Sequence, residues 1–270
     1  MVLKSVYFYN PDILTSVKYE KLKAALDGIF RVYLPYQSFT DREALSAIKE
    51  IECEKAAVLP YINKGNARNH FEKNFNTVCK TADGFMIQNI GDLAFLSGLF
   101  QAHGVSDKFV YGDYSLNVFN SESAAYWNAS GLKSVTVSPE PEASEQIKLA
   151  NSVCKLQNGT MLPEIICGGK IIVMRSEHCF ITDNPKYHCV RCGKNGMTGY
   201  SLTDNAENKF PVIGLPHDCQ NIVLSAKNIE IAEEYAKKHL LGNCILRYNV
   251  LNEKDLLNLR ISNRKERQEN

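Results

Sequence analysis

The chain has 270 residues, 44% hydrophobic and 23% charged, which suffices for one substantial core and falls within the size of a single α/β barrel. A net charge of +1 and a sequence pI near 7.5 leave no overall field to draw the chain onto nucleic acid or anionic lipid, so any such contact must be local. No apolar run approaches the ~20 residues of a membrane span and no basic, then apolar, leader opens the chain, while nine cysteines, five of them (Cys53, Cys79, Cys154, Cys167, Cys244) scattered among apolar or helical residues, point to a reducing, cytoplasmic setting.

Short β-branched or aromatic runs alternate with amphipathic stretches from the first residues onward, the signature of strand-helix repeats around a parallel sheet. The expected strands are VLKSVYFY, FRVYLPY, KAAVLPYI, GFMIQN, KFVYGDY, SVTVSP, the longer EIICGGKIIVMR, and CILRYNV. Between them the expected helices cover 16–28, 41–51 after a Thr40 or Asp41 cap, 67–80, 92–104, 121–131 with Ser121 as cap, 142–156, 229–242, and a last one beginning near Glu253. Gly28, Gly104, Gly131 and Gly242 stand where left-handed helix stops are expected. Eight strands close a TIM-like (β/α)8 barrel. The chain therefore reads as one domain, 1–270, whose alternation breaks only in a cysteine-rich insertion after strand seven, about 176–221, placed over the catalytic face by topology.

That insertion holds Cys179, the C-x-x-C pair Cys189 and Cys192, and Cys219. Two sulfurs of a C-x-x-C reach one ion from a single turn, and two outlying thiolates complete a four-ligand site. Gly193 and Gly196 leave backbone amides able to approach the sulfurs. Structural zinc and an iron-sulfur cluster both use such a set; a redox dithiol, buried structural cysteines, and a mixed site with His188 or His217 are the competing readings.

Polar residues at strand ends supply the candidate mouth. Asp113 ends strand five, with Asn117 and Asn120 following; Asp113 suits a substrate hydroxyl or amine and the amides a planar ligand. The competing role for Asp113 and Asn120 is capping a βα turn. Gln88 and Asn89 end strand four. Ser138 and Glu140 end strand six, and Glu140 is the carboxylate that could act as base beside Asp113, although Glu140 and Glu142 also suit a first helical turn. Arg175 and His178 close strand seven, for an anionic group and for proton transfer respectively, or as support for the cysteine site. No G-x-S-x-G, H-E-x-x-H, P-loop or G-x-G-x-x-G motif is present. The run RISNRKERQEN, with Arg260, Arg264, Lys265 and Arg267, is the local candidate for nucleic acid, against a solvated helix end.

Taken together, KSVYFYNPDILTSVKYEKLKAALDG, FRVYLP, GDYSLNVFN, VTVSPE, IICGGKIIVMRSEHC, the C-x-x-C, SLTDNAENKFPV and the final Cys219 resemble peptidase family U32, the collagenase-like proteases, over nearly the whole length. The resemblance implies a TIM-like barrel whose Cys179, Cys189, Cys192 and Cys219 bind a 4Fe-4S cluster. It implies hydroxylation of a tRNA or rRNA base with prephenate as oxygen source, or of ubiquinone precursors, with Asp113, Glu140 and His178 as candidate catalytic groups and Asn117, Asn120 and Arg175 as candidate binding groups read from their placement. A collagenase-like peptidase of unassigned catalytic type and a non-catalytic module with structural zinc are the alternatives. Relatives often carry RNA-binding or partner domains or work as paralogous pairs. The family usually has Asp-Arg before its FPV segment, whereas this chain has Asp204-Asn205 and Lys209, which puts any substrate contact by that arginine in doubt.

Overall fold

A computed structural model describes residues 1–156, 161–181, 199–215 and 219–259. Seven strands, β1 (Val2–Phe8), β2 (Arg31–Pro35), β3 (Glu54–Val58), β4 (Gly84–Ile87), β5 (Phe109–Gly112), β6 (Ser134–Thr136) and β7 (Leu162–Gly169), pair in parallel in chain order. The chain then builds β8 (Ile172–Ser176), β9 (Tyr200–Thr203), β10 (Lys209–Leu215), β11 (Gln220–Leu224) and β12 (Ile229–Glu230) before β13 (Cys244–Val250). β13 pairs in parallel with both β7 and β1, so eight parallel strands close a TIM-like barrel. Seven of the eight expected strands are present as single strands, and the first part of the other, EIICGG, supplies β7.

The outer layer comprises α1 (Ile13–Ser16), α2 (Tyr19–Leu26), α3 (Arg42–Lys49), α4 (Gly65–Cys79), α5 (Ile90–His103), α6 (Ser121–Ala129), α7 (Ala143–Val153) and α8 (Glu233–His239), and residues 253–259 are helical. Helices hold to the barrel through one continuous core that includes Val6, Phe8, Val32, Leu34, Phe71, Phe85 and Leu246, each side chain contributing roughly 1.5–3 kcal/mol on burial. Asp41 caps α3 by accepting from Glu43 N and Ala44 N. The cap of α6 is Asn120 and not Ser121: its Oδ1 accepts from Ser123 N at 2.9 Å, and the Ser123 side chain accepts from the Asn120 N–H. Gly28, Gly104 and Gly131 take positive φ as expected, but Gly242 does not. Its demand is spatial, since a Cβ there would stand 2.8 Å from Cys154 Cβ. The 229–242 segment is helical only in α8, because Ile229 and Glu230 pair with Gly169 and Gly168.

The expected seventh strand, EIICGGKIIVMR, is two strands. Gly169 has φ +88°, and a Cβ on it would lie 2.0 Å from the Asn249 carbonyl oxygen. The chain leaves the barrel there, and β8 enters a separate antiparallel sheet ordered β8-β11-β10-β9. Consequently Arg175 lies on the inserted sheet and His178 beyond it, not at the end of a barrel strand.

The inserted sheet lies across the C-terminal mouth. Its Ile172, Ile213, Leu215, Ile222 and Leu224 pack in one buried cluster with Tyr7, Tyr9, Tyr33, Tyr61 and Tyr111 of the barrel side. Two clamps fix it to the rim. The Tyr114 hydroxyl accepts from Ile172 N at 2.8 Å and donates to Ile172 O at 3.1 Å; the Gln220 amide accepts from Ile62 N at 3.0 Å and donates to Ile62 O at 2.7 Å. Lys170 secures the crossing from β7 by donating to Ser225 O and Ala226 O at 2.9 and 2.5 Å. Among the described residues no helix is long and apolar enough to cross a membrane.

Candidate active site beneath the inserted sheet

Strands of a parallel barrel are buried on both faces and usually carry branched aliphatics inward. Here the alternation Ser5-Val6-Tyr7-Phe8-Tyr9 sends the aliphatic and phenyl groups outward and the polar and phenolic ones inward. Hydrogen bonds between strands that are not neighbours in the ring must cross the lumen, and several do. Glu164 on β7 accepts from Ser5 Oγ on β1 and from the Tyr33 hydroxyl on β2, each at 2.6 Å. Arg31 on β2 donates to Ser134 Oγ on β6 at 2.7 Å, to the Tyr33 hydroxyl at 2.9 Å, and through Nε to Glu54 at 2.7 Å. Its guanidinium lies 3.8 Å from the centre of the Tyr111 ring, and the Tyr111 hydroxyl donates to Glu54.

Nearer the mouth, Arg247 on β13 donates through Nη1 to Asp113 Oδ1 at 2.7 Å; both side chains are fully buried. Arg247 Nε donates to Asn249 Oδ1 at 2.8 Å, and its guanidinium covers the Tyr7 ring at 4.1 Å. Burial opposes both cations, yet the surrounding groups prevail and hold both guanidiniums above their usual range: for Arg247 these are Asp113, Glu164, Tyr9 and Tyr7, for Arg31 they are Tyr33, Tyr111, Glu54 and Glu164. Burial pushes the phenols of Tyr7, Tyr9, Tyr33, Tyr61, Tyr111 and Tyr114 upward, so these hydroxyls stay protonated at neutral pH. Asp113 Oδ2, Arg247 Nη2 and Gln88 Nε2 are buried without a protein hydrogen-bond partner among the described residues. Asp113 and Gln88 follow the C-terminal ends of β5 and β4, where barrel enzymes bind substrate, Arg247 lies midway along β13, and an unmatched buried polar atom calls for a ligand or water.

The residues expected from sequence separate into three places. Asp113 lies within the lumen, where it also accepts from Tyr114 N at 2.9 Å. Arg175 reaches down from β8 to Gln88 Oε1 at 2.5 Å and sits 5.6 Å from the Tyr61 ring centre. Asn117, Asn120 and Glu140 are exposed on the rim, Asn117 in left-handed backbone with φ 54°. His178 is exposed, its N–H donating to Ser176 Oγ at 3.0 Å and its ring meeting Phe180 edge-on. Ser138 is buried. The sequence reading missed Arg31, Glu54, Glu164 and Arg247; the signal for them was charge at inward positions of strands otherwise apolar. A cleft of about 570 Å³ lies between α2 and residues 50–53, at the N-terminal ends of β2 and β3, the end of a barrel that serves stability.

Of the four clustered cysteines, Cys189 and Cys192 lie outside the described residues, as do His188, His217, Gly193, Gly196 and the basic run from 260 onward. Cys179 and Cys219 are described. Ser176 pairs with Asn221 in the β8/β11 ladder, and Phe180 N donates to Asn221 Oδ1 at 2.8 Å. Cys179 immediately precedes Phe180 and Cys219 leads into β11 with φ 49°, so the two outlying cysteines belong to adjoining ends of one strand pair. Among the described residues no group of three or more His, Cys, Asp or Glu is placed to hold a metal ion. The segment SLTDNAENKFPV forms the β9/β10 hairpin, whose turn is closed by Asp204 Oδ1 accepting from Ala206 N and Asn208 N at 2.9 Å.

Fold and site define a TIM-like α/β barrel with a polar, arginine- and tyrosine-lined lumen under an inserted sheet. No family model matches the chain, and no curated protein does. Among solved structures it is similar to the U32 peptidase Mk0906, at 11% identity over 93% of this chain and 94% of that one, with a TM-score of 0.49. It is also similar to MenC from Desulfotalea psychrophila LSv54, at 12% identity over 61% of this chain and 46% of that one, with a TM-score of 0.36. The barrel assignment rests on this chain's own strand pairing.

Proposed function

We propose that the chain is a U32-like iron-sulfur protein that takes part in hydroxylation of an RNA base (tRNA or rRNA) or a related aromatic substrate. The observation that supports the reading is that β8 and β11 pair and Phe180 N donates to Asn221 Oδ1, so that Cys179 and Cys219 flank adjoining strand ends. A C-x-x-C between them in sequence would complete the four thiolates that either a 4Fe-4S cluster or zinc requires. Cys179, Cys189, Cys192 and Cys219 would hold the group. When bound, a cluster supplies one-electron chemistry close to the mouth.

The chain's own residues would do the rest. Arg175 stands over the mouth as the cation for a small anionic co-substrate such as prephenate, with Gln88 orienting its guanidinium. Asp113, held by Arg247, offers Oδ2 as an acceptor in a dry environment. Glu140 and His178, on the exposed rim, are placed to exchange protons with water, and Asn117 and Asn120 to meet a substrate arriving from outside.

The test is the absorbance spectrum with iron, sulfide and zinc analysis on protein purified without oxygen. About four irons per chain with a broad visible band, both lost in Cys189→Ser, are expected. Stoichiometric zinc would make the cysteine module a structural clip. Neither metal after reconstitution would overturn the reading.

A further inference from the structure

The cleft between α2 and residues 50–53 is acidic. Glu20, Asp27, Glu50 and Glu52 line it, Lys23 is the one lining cation among the described residues, and all five are exposed. Four carboxylates against one ammonium on a concave wall focus a negative potential, in a chain whose net charge is +1. The balancing cations lie elsewhere in the sequence, and their densest set is Arg260, Arg264, Lys265 and Arg267, with Glu266 as the one carboxylate among them.

The path of the chain brings cleft and cations to the same level. α2 and the 253–259 helix both leave the mouth, after β1 and β13 respectively, and Lys21 Nζ meets Glu253 at 3.3 Å. Leu256 is fully buried and Leu259 packs against the outer core, so the second helix lies along the barrel wall beside the first. Seven residues past Lys21 is Gly28, which lines the cleft, and seven past Glu253 is Arg260. At ~1.5 Å per residue both stand about 10 Å below that ion pair. Segment 260–267, extended, spans at most ~26–29 Å, more than the ~10–12 Å width of α2 that separates its start from the cleft.

We infer that the cleft is the seat of this chain's own basic segment 260–267, bound in cis. The cleft encloses about 570 Å³, and a helix of ~10–12 Å diameter would fill that space in about one turn, so it suits the side chains of an extended segment. Guanidinium groups meet carboxylates in paired hydrogen bonds, and the ring of Tyr19, 40% exposed on the cleft wall, offers its face to a cation. Each exposed ion pair is weak alone, but the tether makes every contact after the first intramolecular. The cations that a nucleic acid would otherwise meet are thereby held at the N-terminal end of the barrel, away from the mouth.

The experiment is carbodiimide coupling of the full chain, which joins a carboxylate to a lysine amine in contact with it, read by mass spectrometry of the cross-linked peptides. Lys265 is the reporter, and the Lys21 to Glu253 pair is the internal control for coupling efficiency. Relative to that control, Lys265 should couple to Glu20, Asp27, Glu50 or Glu52 at about 0.1 M salt and lose about tenfold at about 1 M, where the Debye length is ~3 Å. Arg264→Glu with Arg267→Glu, which keeps the reporter, should cause a similar loss. Glu50→Lys with Glu52→Lys, at two exposed positions, tests the cleft side independently and should lower coupling to Glu20 and Asp27. Mixing light- and heavy-nitrogen chains separates cis from trans, and mixed pairs would give the cleft to a second copy and overturn the proposal. Coupling of Lys265 spread over exposed acids of other helices, such as Glu122 and Glu145, would also overturn it, as would coupling absent while the control forms or unchanged in both variants.

Discussion

Arg247 and Asp113 are the residues on which the lumen most depends, because each is fully buried and each is the other's counter-charge. Removing one partner leaves an uncompensated ion in low dielectric, so Arg247→Met should cost about 3–5 kcal/mol. Asp113→Asn combined with Arg247→Met should cost less than the sum of the two single changes, since the second change then removes the stranded charge. Urea unfolding of the three variants measures the coupling, and strict additivity would mean the pair does not interact as drawn. A second residue-scale consequence concerns thiols. Burial pushes the Cys53 and Cys79 thiols up to about 11 and Cys167 up to about 12. A folded-state value above the unfolded one means that the stabilising contribution is intact below about pH 8.5 and is lost as pH rises toward the folded values. Stability should therefore decline on the alkaline side. At pH 8, alkylation of Cys53 by iodoacetamide, read by mass spectrometry, should run about 20-fold slower than that of free cysteine from its smaller thiolate fraction, before any steric shielding.

At the scale of elements, the inserted sheet is held by few but directional contacts, and Tyr114 makes the most telling one. Its hydroxyl satisfies both the N–H and the C=O of Ile172 at the start of β8. Tyr114→Phe keeps the ring and strands those two backbone groups, at a cost of about 1–3 kcal/mol. Amide exchange should quicken in β8 and β11 and stay unchanged in β1 to β4; a uniform change across the barrel would mean that sheet and barrel open together. Gly169→Ala should be harsher, because left-handed backbone and the Asn249 carbonyl both exclude a Cβ; a marked fall in melting temperature is the expected readout. These same two positions explain where sequence reading lost its way. The run EIICGGKIIVMR has strand composition throughout, and only the backbone turn at Gly169 divides it. Likewise Tyr114 follows Asp113 in a segment read for its polar atoms, so its phenol as a clamp for a strand almost sixty positions on, 58 by the bond itself, had no local signal.

For the whole molecule, local chemistry made the barrel legible and distance hid the lumen. β-branched runs and capped helices announce themselves within a dozen residues, and the eight parallel strands follow. The bonds that define the site join residues 103, 131 and 134 positions apart, Arg31 with Ser134, Tyr33 with Glu164, and Arg247 with Asp113, and no periodicity reports such pairs. Cys179 and Cys219 flank adjoining strand ends because β8 and β11 pair across most of the insertion, and no sequence spacing reports that pairing. This division of labour leads to a last expectation. The barrel has its own closed hydrogen-bond ring and outer core, so its stability does not depend on a metal, whereas the ends of β8 and β11 adjoin two of the proposed ligands. Metal binding energy should then appear as stability of the insertion alone. Chelating the metal-loaded protein should raise amide exchange around Phe180 and Gln220 while leaving β1 to β7 and β13 protected and the far-ultraviolet circular dichroism nearly unchanged. Global unfolding on chelation would instead make the cysteine module part of the folding core, and no change at Phe180 or Gln220 would separate the metal from this strand pair altogether.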